Sequence, residues 1–71
     1  MRDQCEEKVR LMSEYETATA RFSAAVGKLR RKMGTVPKVE YERLDRAANE
    51  ARVKSEHARL AVEQHIAAHG C

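Results

Sequence analysis

A single break divides this chain: Gly34 and Pro37, with Thr35 and Val36 between them, interrupt a sequence whose apolar residues otherwise recur every three or four positions. Proline is excluded from a helix interior and glycine adopts the left-handed conformation that ends a helix, so the break reads as a turn between two helices. Gly70 sits where a second stop is needed. The expected architecture is all-α, an antiparallel two-helix hairpin of coiled-coil type occupying residues 1–71 as one domain. Its helices are predicted over about 4–33 and about 37–69, with the turn at about 34–36.

Local signals support those boundaries. Asp3 has the character of an N-cap, and Glu6, three residues later, completes a capping-box pattern. Thr35 or Val36 is expected to cap the second helix, with Pro37 in its first turn, where a missing N–H costs nothing.

Heptad lettering places Cys5, Met12, Thr19, Val26 and Met33 at a and Lys8, Tyr15, Phe22 and Leu29 at d on the first helix. On the second, Tyr41, Ala48, Ser55, Val62 and His69 fall at a, and Pro37, Leu44, Ala51, Ala58 and His65 at d. The g positions add Leu11, Ala18 and Ala25 on one helix and Ala47, Ala61 and Ala68 on the other. Each apolar face is broader than a two-stranded seam needs.

A turn this short forces the helices antiparallel, in a register where facing residue numbers add to about 70. Large side chains then meet small ones: Met12 faces Ala58, Phe22 lies near Ala48, and Thr19 near Ala51. Interdigitated packing requires that complementarity. The same register brings Cys5 opposite His65.

Composition limits what such a hairpin does. Eleven of its thirty hydrophobic residues are alanine and its aromatics are Tyr15, Phe22 and Tyr41, so the core is thin and leaves no room for a cleft lined by large side chains. An enzyme is not expected, since no nucleophile with an adjacent base has a pocket to occupy. The polar start of the chain resembles neither a secretory signal nor a membrane span, which points to the cytoplasm.

Thiol and imidazole side chains converge only at the open end, in Cys5, His65, His69 and Cys71. A Cys5–Cys71 disulfide would close nearly the whole chain into one loop, and a small core benefits from such a staple. The alternative is a metal site. His65 and His69, four apart on one helical face, with Cys5 and Cys71, form a two-His, two-Cys set suited to zinc. Cys5 as a reactive or redox thiol is a further reading, weakened by the lack of a CxxC pair. Otherwise no cofactor is expected.

The turn end is basic. Lys28, Arg30, Arg31, Lys32, Lys38, Arg43 and Arg46 outnumber Glu40, Glu42 and Asp45, a net +4 within a chain of net +3. Phosphates of RNA, DNA or an anionic membrane would suit that charge. The plainer reading is that cations complement the end of a helix and that Glu42 pairs with Arg46. Val53, Leu60 and Ile66 fall off the seam, and His57 shares the side of Val53 and Leu60. Burying them calls for self-association, and a homodimer forming a four-helix bundle is expected. The favoured function is a small structural or protein-interaction hairpin, with a nucleic-acid-binding dimer or a Cys/His module as the alternatives.

Overall fold

The computed structural model describes residues 2–70, with side chains described over residues 6–70. Two helices, α1 (Arg2–Lys32) and α2 (Lys38–His69), lie side by side and antiparallel. The result is a rod of 53 × 14 × 12 Å. Its radius of gyration is 16.0 Å, where a compact domain of this length would have about 11 Å. One packed interface has to hold the whole molecule.

The turn is built largely as the sequence predicts. Gly34 adopts φ 76°, in the left-handed region. The backbone N–H of Thr35 donates to the Lys32 carbonyl at 3.0 Å and the Thr35 hydroxyl donates to the same oxygen at 2.9 Å. Thr35 therefore closes the end of α1, and it does not cap α2 as expected. Pro37 itself is the N-cap, extended at φ −60° and ψ 156°, and its carbonyl accepts the Tyr41 N–H at 3.0 Å. Two causes shift the boundary. The Thr35 hydroxyl is already engaged, and the residue before a proline is pushed out of the helical region. At the other end Gly70, φ 71°, donates its N–H to the Ile66 carbonyl at 2.8 Å and stops α2 as anticipated. α1 begins at Arg2, so Asp3 lies within its first turn and not ahead of it.

The seam on α2 is the predicted a/d stripe: Leu44, Ala48, Ser55, Val62 and His65 are buried, and Tyr41, Ala51 and Ala58 half-buried. On α1 the seam is rotated. Its inward residues are Lys8, Leu11, Tyr15, Ala18, Phe22, Ala25 and Leu29 at the d and g positions, joined at a by Val26, while Met12 and Thr19 at a are exposed, as is Met33 just beyond the helix. Bulk explains the rotation, because Leu11, Tyr15, Phe22 and Leu29 together offer more apolar surface than the a set. Met12 is consequently toward a flank, at 37% exposure.

Large still covers small across this seam. The small α2 residues Ala48 and Ser55 are buried to 6% and 8% exposure, and the larger α1 side chains above them stay half-exposed. The hydroxyl of Ser55 donates to the Arg52 carbonyl of its own helix at 2.8 Å, so no buried polar atom among the described residues lacks a partner. Along the outside, each of the ion pairs Glu7–Arg10, Arg10–Glu14, Arg52–Glu56 and Arg59–Glu63 joins residues three or four apart on one helix. Such pairs stiffen a helix but add little to its attachment to a neighbour.

Two glycines should respond oppositely to alanine. At Gly34 nothing lies within 4 Å of an added Cβ, so Gly34→Ala carries a backbone penalty alone, about 1–2 kcal/mol. At Gly27, inside α1, an added Cβ would meet the Arg31 Nη1 at 3.4 Å, the far end of a movable side chain. Gly27→Ala should therefore stabilise by about 0.5–1 kcal/mol. Urea unfolding followed by circular dichroism checks both signs.

Candidate functional site

The rod offers chemistry at its two ends and along the outer side of α2. At the open end, Val62 and then His65 continue the seam, and His65 is 9% exposed. His69, one turn further, is exposed, although the heptad places it at a. Their rings touch, with centroids 4.6 Å apart and planes inclined at 51°. Among the described residues no group of three His, Cys, Asp or Glu is placed to hold a metal ion. The side chain of Cys5 and the whole of Cys71 lie outside the described residues, so the disulfide and the two-cysteine half of the zinc set are untouched by the geometry. The histidine half is present as a contacting pair with one ring buried and one exposed.

What the sequence reading missed at this end is Glu7. Arg10 donates through Nε to one carboxylate oxygen of Glu7 at 3.1 Å and through Nη2 to the other, while its Nη1 reaches Glu14 at 2.5 Å. An acid–base–acid series spaced three and four apart was the available signal. The Arg10 hydrogen bond holds the Glu7 carboxyl below its ordinary value of 4.5. Partial desolvation opposes that shift, and the charges of Arg10 and then His65 reinforce it. Glu7 is thus an α1 acid that feels the charge of His65, while the side chain of Cys5, which the register brings opposite His65, lies outside the described residues.

At the turn end every predicted cation is exposed: Lys28, Arg30, Arg31 and Lys32 from α1, Lys38, Arg43 and Arg46 from α2. Arg43 pairs with Glu40, and Lys38 reaches Glu42 at 3.9 Å. Glu42 is thereby engaged from the preceding turn, and the expected Glu42–Arg46 pair does not form. Lys28, Arg30, Arg31, Lys32 and Arg46 make no ion pair among the described residues. Two apolar side chains stand among them: Val39 is 77% exposed and Met33 56%.

Along α2, Val53 and Leu60 are seven apart on the side turned away from α1, at 39% and 42% exposure. Ile66 is equally exposed but lies about a third of a turn round, toward a flank. A shallow depression from Glu42 to His57 runs past Val53, and one helix alone lines it. It is the open side of a rod. A recess that does lie between the helices is bounded by Ala18, Arg21, Ala47, Glu50, Ala51 and Lys54, where alanines leave the seam unfilled.

No helix among the described residues is long and apolar enough to cross a membrane. No protein family, curated protein or solved structure matches the chain.

The Glu7 network has a measurable signature. A carboxylate whose folded-state pKa is depressed contributes stability that is present above its unfolded pKa and is lost as pH falls through the folded value. Carboxyl NMR should find Glu7 titrating below 4.5. Arg10→Ala should return it toward that value, and His65→Ala should move it less.

Proposed function

We propose that this chain is a non-catalytic interaction module, a helical hairpin that self-associates through the outer side of α2 and is stapled at its open end by Cys5 and Cys71. The observation that carries the reading is the pair Val53 and Leu60, one heptad apart and exposed on a rod in which no large side chain among the described residues is fully buried. A row of that spacing is what a second helix packs against. Isologous pairing about a two-fold axis would cover Val53 and Leu60 of both copies, with Ile66 at the margin and His57 within the interface.

Sedimentation equilibrium tests this directly. The wild-type chain should approach twice its own mass as concentration rises, and Val53→Glu with Leu60→Glu should hold it at a single mass with its helix content unchanged. A wild type that stays a single chain over the whole attainable range would remove the reading.

Support for the staple is backbone placement and size. α1 starts and α2 ends at the same end of the rod, and Gly70 turns the chain just before Cys71. Closing so long a loop is worth about 2–4 kcal/mol by restricting the unfolded chain. Intact mass should rise by two hydrogens on reduction, and Cys71→Ser should lower unfolding stability by about that amount. Two titratable thiols before any reductant is added would eliminate the staple while leaving self-association standing.

A further inference from the structure

The turn end combines two properties that no role described so far uses. Its charge is incompletely neutralised, since Lys28, Arg30, Arg31, Lys32 and Arg46 are exposed and without ion pairs among the described residues. Val39 and Met33 also project from the same end, at 77% and 56% exposure. Complementing the α1 dipole accounts for cations in the last turn, where Arg30, Arg31 and Lys32 lie. It does not account for Lys28 a turn earlier, for Arg46 on the other helix, or for apolar side chains held in water on both sides of Gly34.

Distance along the rod defines which charges act together. At about 1.5 Å per residue, Lys28 lies within roughly 10 Å of the turn along the axis, and Lys38 lies at it. That is close to the screening length of about 8 Å at physiological ionic strength, so the α1 cations present themselves to an approaching surface as one charge. Arg46 lies about 12 Å back and contributes less.

A partner for this end has to be anionic and able to take up apolar side chains. A nucleic-acid backbone satisfies the first condition only. Base stacking needs free aromatic faces, and the two aromatics flanking the turn, Phe22 and Tyr41, are half-buried in the seam. A bilayer rich in acidic phospholipid satisfies both conditions, with phosphates at the depth of the cations and the headgroup–acyl boundary just beneath. We propose that the hairpin docks by its turn end on anionic phospholipid membranes, with Lys28, Arg30, Arg31 and Lys32 on headgroup phosphates and Met33 and Val39 in the interfacial layer. The rod then stands off the surface, leaving the outer side of α2 clear.

Co-sedimentation of the full chain with vesicles tests this, using phosphatidylcholine alone and phosphatidylcholine with about one-third phosphatidylserine. Binding is expected to the mixed vesicles and not to the neutral ones, and to weaken steeply as salt rises. Arg30→Glu with Arg31→Glu should abolish it at unchanged helix content. Met33→Gln with Val39→Asn, which leaves the charge alone, should weaken it about tenfold. The same proteins are titrated into fluorescent single-stranded RNA and duplex DNA. No binding to the mixed vesicles at low salt overturns the proposal, as does membrane binding indifferent to the Met33/Val39 pair. Tight nucleic-acid binding without vesicle binding overturns it in favour of a phosphate-backbone partner.

Discussion

The molecule depends on one seam, in which the large side chains of α1 lie over the small ones of α2. Leu11, Tyr15, Phe22 and Leu29 supply volume, and Ala48, Ala51, Ser55 and Ala58 supply the space for it. Burial is therefore lopsided. Ala48 and Ser55 disappear from water while the large α1 side chains keep an edge exposed. Each buried alanine contributes little, so stability accumulates along many weak contacts and has no single keystone. A thin seam of this kind needs restraint from outside itself, and the Gly34–Pro37 turn supplies it at one end by fixing which residues of the two helices meet.

Electrostatics adds almost nothing to that choice. The salt bridges described along the two helices connect neighbours on one helix, so each would survive a sliding of α1 past α2. The Ser55 hydroxyl is likewise satisfied within its own helix and gives no directional bond across the seam. The charge of His65 on α2 does act on the Glu7 carboxyl of α1, at the end farthest from the turn. Register is thus set by the geometry of the turn.

Much of this was legible in the residues. Gly34 and Gly70 named both helix stops because few other residues adopt positive φ cheaply. The α2 stripe was readable because the g positions beside it add no apolar residue larger than alanine, and Val53 and Leu60 fall on the opposite side. On α1 three heptad positions carry apolar residues, which leaves two adjacent two-position seams open, and side-chain bulk chose the d/g pair. The Thr35 hydroxyl could serve either helix, and the restriction Pro37 places on Val36 was the neighbouring signal that it closes α1. At the candidate sites, exposure of the cations followed from their charge, whereas the partner of Glu42 depended on whether Lys38 or Arg46 reached it first. Glu7 and Arg10 did not stand out because acid–base pairs three and four apart are ordinary on any solvated helix face.

A rod 53 Å long and barely 14 Å across has a use that does not depend on its surface chemistry. Because both helices run its full length and their ion pairs brace each one lengthwise, the hairpin resists shortening. Anything held at the turn is kept about five nanometres from anything held at the open end, since each helix rises about 1.5 Å per residue. The fold is in that sense a spacer, and its working dimension is written in the number of residues between one glycine and the next.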